Sequence, residues 1–330
     1  MDGSYDVVVV GGGAAGLSGA VALARSRRSV LVVDAGEPRN APAGQVHNFL
    51  TRDGTPPAEI YAIGRDEVLR YGGRVETGRV TALSRDAERF RVQIDDRAVT
   101  ARRLLIATGL RDELPDVPGL AARWGIDVLH CPYCHGWEVR DRRVGILATG
   151  PGAIHQALLF RQLSPQVTVL RHTAPELTAE QREQLTALGI TVIEGEVTEV
   201  ETDGDGLAGA RLADGTLVPL DALIVAPRMV ARAQLLAPLG LVPAEVRLNG
   251  QVMGTQIEAD ATGATSVPGL WVAGNLAAIQ AQVVTSAAAG LTAGAAINAD
   301  LAAADARHAA SSEPPVGEQA RDESVSACPA

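Results

Sequence analysis

Four consecutive valines, Val7 to Val10, close a strand-like run that begins at Tyr5, and the run stops at a cluster of glycines. An alanine-rich stretch with helical spacing follows to Arg25, and a second apolar run, Ser29 to Val33, delivers Asp34. Runs this short, bounded by turn residues, predict buried strands on either side of a helix. The same order recurs downstream. Arg143 to Leu147 predicts a strand, Ala148 to Ala153 a turn, the residues to about Leu163 a helix, and Val167 to Leu170 a return strand. Arg103 to Gly109 and Ser266 to Asn275 predict two further strands with glycine-containing ends, and an alanine-rich helix is expected after the second, to about Ala304.

These repeats predict an α/β chain of two Rossmann-like nucleotide-binding domains, the second inserted into the first. The expected boundaries are 1–114 for the first part of the outer domain, 115–228 for the inserted domain and 229–305 for the return. Segment 306–330, polar and carrying Ser311-Ser312-Glu313-Pro314-Pro315, is expected to be a disordered tail.

The chain has 330 residues, enough for two cores, and its 46% hydrophobic and 21% charged content is that of an ordinary globular protein. Its formal charge is −10, every base is arginine or histidine, and no basic cluster is present to neutralise a phosphate backbone, which argues against a nucleic-acid partner. The acidic start, Met1 to Asp6, lacks the positive region of a secretory signal, so a cytoplasmic location is expected. Two uncharged runs, Val7 to Ala24 and Ala261 to Ala299, are broken by glycine and are read as cofactor-cradling segments, without a membrane partner.

Gly11-Gly12-Gly13-Ala14-Ala15-Gly16 follows the first strand and opens the helix. Gly11 permits the tight turn, Gly13 lets the backbone approach a pyrophosphate, and Gly16 lets the helix pack on the strand, while Asp34 is placed to accept ribose hydroxyls. Strand, glycine motif, helix, strand and acid within about 30 residues specify dinucleotide binding. The downstream copy is degraded. Ala148 stands where the first glycine belongs, and Arg171-His172-Thr173-Ala174-Pro175 offers one arginine where an acid or a basic pair is wanted, so the fold is kept and NADPH binding is possible but doubtful.

His130-Cys131-Pro132-Tyr133-Cys134-His135-Gly136 admits three readings: c-type haem attachment, a zinc site or a redox pair. The lack of an export signal argues against haem. Zinc wants four ligands, and the remaining cysteine is the distant Cys328, so no metal is expected. A redox pair remains. Pro132 suits the first position of a helix, whose positive end would lower the pKa of Cys131, and His130 and His135 flank the pair as candidate acid–base groups.

From Asp6 to about Asp305 the chain resembles the low-molecular-weight thioredoxin reductase-like flavoproteins. The resemblance rests on Gly11 to Gly16, Gly36-Glu37-Pro38-Arg39-Asn40, Ala107-Thr108-Gly109, Cys131 to Cys134, Gly150 to Gln156, and Val272-Ala273-Gly274-Asn275 with Ala281-Gln282-Val283. It implies FAD in the outer domain, NADPH and the cysteine pair in the inserted one, and a homodimer. It also implies that Arg39, Asn40, His47, Val80, Ala107, Thr108, Gly109, Gly274, Asn275, Gln282 and Val283 contact FAD, and that Cys134 faces the isoalloxazine. Two departures stand out: thioredoxin reductases usually have Asp where His135 stands, and a His-Arg-Arg segment where Arg171 to Pro175 stands. Asn275 also replaces their usual Asp. The Cys-Pro-Tyr-Cys-His-Gly motif resembles that of FAD-dependent dithiol oxidases, which close disulfides in small natural products such as gliotoxin and holomycin.

The function expected is therefore an FAD-dependent dithiol:disulfide oxidoreductase in which Cys131, Cys134, His135 and His130 are catalytic. Its partner would be a small-molecule dithiol or a thioredoxin-like protein. The rival expectations are an NADPH-dependent thioredoxin reductase and a redox sensor that does not turn over.

Overall fold

The computed structural model describes residues 3–86, 89–248 and 250–312. The outer domain begins with β1 (Ser4–Val10), α1 (Ala14–Arg25), β2 (Val30–Asp34), α2 (Pro57–Arg70), β3 (Arg74–Thr77), β4 (Val80–Asp86), β5 (Arg89–Ile94) and β6 (Arg97–Ile106). The valine run of β1 is apolar throughout because both faces of its sheet are covered. Val7 and Val9 enter one core cluster with α1, while Val8 and Val10 enter another on the opposite face.

β7 (Leu110–Glu113) leaves this domain and leads to the inserted one: β8 (Val128–Leu129), α3 (Pro132–His135), β9 (Val144–Leu147), α4 (Gly152–Arg161), β10 (Val167–Leu170), α5 (Ala179–Ala187), β11 (Thr191–Ile193), β12 (Val197–Asp203), β13 (Gly206–Leu212), β14 (Leu217–Pro219) and β15 (Ala222–Ile224). Its parallel sheet has the order β11-β10-β9-β15-β8, and β12 to β14 form a separate antiparallel sheet. The chain returns through β16 (Arg228–Ala231), β17 (Ala244–Leu248), β18 (Gln251–Gln256), β19 (Leu270–Val272) and α6 (Val283–Ser312).

Insertion is visible in the pairing. The outer sheet runs β3-β2-β1-β6-β5-β4, and the late strand β19 joins it parallel to the C-terminal end of β6, with Val272 opposite Ile106. Outgoing β7 and returning β16 pair antiparallel, with Asp112 opposite Met229.

Two expectations change. The strand predicted over Ser266 to Asn275 shrinks to β19, since Pro268 precedes Gly269 at φ +85°, a turn conformation. Helix α6 continues past Asp305 to Ser312, so 306–312 are helical where a disordered tail was expected. Alanines of high helix propensity fill that stretch, and Asp305 is tied to Arg28 at 2.7 Å and to Arg102. The remainder of the expected tail, 313–330 with Cys328, lies outside the described residues.

By length and composition α6 is apolar enough to cross a membrane. Here it packs along α1, where a Cβ at Gly290 would run into the Ala15 backbone. Its polar groups are also claimed: Asp300 pairs with Arg103, and Asn298 accepts from Arg28 at 2.8 Å.

Candidate active site

A cavity of about 1620 Å³ runs from the glycine turn of the outer domain to the cysteine pair of the inserted one. That exceeds the ~300–1,000 Å³ of ordinary small-ligand pockets. At its floor, Gly11 has φ +108°, and a Cβ there would strike the Ala107 carbonyl. Gly13 caps α1 without a side chain, and the place its Cβ would take is open space. Ala14 lines the same wall, whereas Gly16 lies beneath it against Gly11 and serves packing. Asp34 accepts the Gly12 N–H at 3.1 Å, which holds its carboxylate at the end of β2 beside the turn. The turn thus presents helix-end N–H donors next to a carboxylate acceptor, the pairing that a pyrophosphate and a ribose require.

The residues that the resemblance brought in also line this cavity. Val80 and Asn40 form one side, with Tyr61 donating to Asn40 at 3.0 Å. Ala107, Thr108 and Gly109 form the middle, where the Thr108 hydroxyl donates to the Arg232 carbonyl at 2.7 Å. Gly274, at φ +69°, together with Asn275, Gln282 and Val283, closes the far side at the start of α6. The Asn275 amide donates to the carbonyls of Ala278, Ile279 and Ala281, at 3.2, 3.3 and 2.8 Å. An aspartate there has no proton to give, so the asparagine organises the turn that aims α6 at the cavity. His47 lines the cavity too, its Nδ1 3.3 Å from Asp53 and its buried Nε2 without a hydrogen-bond partner among the described residues.

At the other end, Cys131 is the N-cap of α3 and Pro132 its first residue, as the spacing predicts. Cys134 Sγ lies 2.6 Å from Cys131 Sγ and donates to it. That hydrogen bond, with backbone N–H bonds from Cys134 and Tyr133 and the charge of Arg39, outweighs burial and lowers Cys131 to about 7. Cys134, as the donor and buried beside the incipient thiolate, is pushed up. The lowering expected at the helix start is found, with the Cys134 thiol its largest cause and the first-turn N–H groups of Tyr133 and Cys134 adding to it.

His130 places Nδ1 3.0 Å from the Val225 carbonyl. A carbonyl only accepts, so Nδ1 carries the proton and Nε2 keeps a free lone pair. Burial holds His130 below its ordinary value, with the Arg39 charge helping. Burial also lowers His135, against the pull of Glu138, and His135 Nε2 is buried without a hydrogen-bond partner among the described residues. Both imidazoles are neutral near pH 7, the form that accepts a proton.

A family model described as pyridine nucleotide-disulphide oxidoreductase matches residues 5–293. The chain belongs to that family. Thioredoxin reductase tcpT of Claviceps purpurea is 35% identical over 306 residues, covering 88% of this chain and 92% of that one. Thioredoxin reductase sirT of Leptosphaeria maculans is 31% identical, covering 91% and 95%. The crystal structure of HlmI superposes with a TM-score of 0.86 at 44% identity, covering 94% and 96%. This pyridine nucleotide-disulphide oxidoreductase is an enzyme acting on sulfur groups, from a family that binds FAD and uses NAD(P)H. The cavity fits FAD in volume, in its glycine cradle and in having the cysteine pair at one end.

The oxidoreductase's second nucleotide fold is differently furnished. A Cβ at Gly150, in the turn after β9, would overlap the carboxamide of Gln251, a residue of the outer domain's β18. Arg171 is paired with Glu194 and donates to the Ala174 carbonyl at 3.1 Å. The hollow beside that turn measures about 40 Å³.

Sequence reasoning missed Asp112, Glu138 and Gln251, and named Gln156 only as part of the second turn's motif, without its contact to His130. Asp112, its side chain 7% exposed, clamps Arg39 at 2.6 and 2.7 Å, and Arg39 reaches Asn275 at 3.5 Å. Gln156 packs against His130, its Nε2 3.4 Å from the His130 carbonyl. Glu138 meets His47, and Gln251 lies against the second turn. Asp112, Glu138 and Gln251 carry no local motif, and all four acquire their partners from a remote segment.

Proposed function

We propose that this oxidoreductase is a dithiol oxidase that closes a small-molecule dithiol into a disulfide, with O2 as final acceptor. The observation that supports the direction is Gln251 lying against Gly150 while Arg171 is bound to Glu194: one side chain crowds the second nucleotide turn and another already holds its arginine. The Cys-Pro-Tyr-Cys-His motif supports the same branch.

The cycle starts from Cys131 and Cys134 joined as a disulfide. A substrate thiol gives its proton to His135 or His130, and its sulfur attacks Cys131, forming a mixed disulfide and releasing Cys134 as a thiol. The second substrate thiol then attacks the first substrate sulfur and expels Cys131, whose lowered pKa makes it a good leaving group. The substrate leaves as a disulfide and the pair is left as two thiols. Bound FAD supplies the two-electron acceptor that returns the pair to the disulfide, and Arg39, Asn275 and the start of α6 would hold it against the pair. The reading takes a homodimer and a cytoplasmic location from the expectations above.

Anaerobic mixing of the FAD-loaded protein with dithiothreitol and, separately, with NADPH tests this. Bleaching of the flavin by the dithiol alone, with colour restored by air, is expected. Rapid bleaching by NADPH would instead support the thioredoxin reductase reading that the relatives' names favour.

A further inference from the structure

The turn that carries the cysteine pair leaves two large rings in the open. Tyr133, between the cysteines, is 62% exposed, and Trp137 is 65% exposed. Gly136 keeps helical angles after α3, φ −67° and ψ −32°, so these two residues, four apart, lie on one face. Rings of this size ordinarily bury most of their surface, and two of them open beside a reactive sulfur mark a contact surface.

Both are held in place by the protein itself. The Arg140 guanidinium lies 4.2 Å from the centre of the Trp137 ring and donates to the Trp137 carbonyl at 2.8 Å, a cation–π clamp on one ring face. From the outer domain, the Asn48 side chain donates to the Tyr133 carbonyl at 2.5 Å. Two residues further along that loop, Leu50 is 85% exposed. Tyr133 also lines the cavity in which Cys131 lies, so the face is continuous with it.

What covers this face follows from the reaction. A substrate sulfur bonded to Cys131 sits two residues from Tyr133, so the body that carries the sulfur has to lie beside the rings. A protein partner docks through about 800 Å² on each side, far more than two rings and a leucine offer. A flat, unsaturated skeleton suits them better, because π-faces stack at centroid separations of about 4.5–7 Å.

We propose that Tyr133 and Trp137 form a stacking platform that selects dithiols with a planar, unsaturated body, with Leu50 as its apolar border. The platform rests on the oxidase reading and adds no chemical step to it: the rings hold the substrate's body while its sulfurs exchange with Cys131. Selectivity arises in binding, so it shows in the half-saturating concentration and not in the limiting rate.

The test compares two dithiols that each close to a six-membered disulfide ring, dithiothreitol and ortho-benzenedimethanethiol. Full-length, FAD-loaded protein is mixed with each under anaerobic stopped flow. The aromatic dithiol is expected to half-saturate flavin reduction at about a tenth of the dithiothreitol concentration, in keeping with one aromatic stack. Trp137→Leu and Tyr133→Leu, which stay apolar without a ring, should each bring that ratio toward one through the aromatic dithiol alone, and Trp137→Phe should keep it. A ratio near one in the wild type, or one that survives in both leucine variants, overturns the platform alone. So does a change in assembly mass by light scattering in Trp137→Leu, which would make the face a contact between copies of the chain. A wild type that oxidises neither dithiol takes down the oxidase reading and the platform with it.

Discussion

Gln251 of the outer domain lays its carboxamide against Gly150 of the inserted domain, so one side chain joins the two nucleotide folds at the second glycine turn. Gly150→Ala should nevertheless cost under about 1 kcal/mol, because its Cβ would meet only the end of a flexible side chain that can shift aside. In a Gln251→Ala background even that cost should vanish, a coupling that a double-mutant cycle in urea measures directly. A loss of several kcal/mol that Gln251→Ala does not relieve would mean that the turn itself resists the added carbon.

The thiol pair predicts a pH response with a definite sign. Alkylation of reduced protein by iodoacetamide should modify Cys131 with a midpoint of about 7 and leave Cys134 untouched. Reactivity is lost as pH falls through that midpoint, because the thiolate is the nucleophile. Cys134→Ala removes the hydrogen bond to the Cys131 sulfur, and the midpoint should climb toward the ~8.5 of a free thiol. Mass spectrometry of the labelled peptide reads both.

Removing the two ends of the Arg39–Asp112 clamp should not cost the same. Arg39→Ala strands a carboxylate that is 7% exposed, for about 3 kcal/mol, the lower end for breaking a buried pair. Asp112→Ala leaves an arginine that is 28% exposed and can turn to water, so its penalty should be smaller. Equal losses in chemical denaturation would contradict the burial difference.

Asn275→Asp restores the residue usual in thioredoxin reductases and takes the amide from the carbonyls of Ala278, Ile279 and Ala281, the first of which keeps the Ala281 N–H at 3.0 Å. A cost of about 1 kcal/mol is expected, the net worth of part-buried hydrogen bonds. Because the lost bonds shape the turn before α6, FAD should dissociate faster, which flavin fluorescence follows. An unchanged off-rate would show that the turn holds without the amide.

Much of this protein was decided within short stretches of sequence. The glycine turn at Gly11 to Gly16, the N-cap position of Cys131 with Pro132 behind it, and the buried valines of β1 each depend on residues a few positions apart, through allowed φ, a missing N–H or covered sheet faces. The insertion of one nucleotide fold in the other was legible for the same reason, as two copies of one local pattern. What only the tertiary structure decided is who meets whom. Arg39 finds Asp112 across 73 positions, Gln251 finds Gly150, His47 meets Glu138, and Val225 sets the His130 tautomer from 95 positions away. Such pairings form only when distant segments are packed together, and burial then shifts the proton affinities of the sulfurs and imidazoles, a change no local pattern encodes.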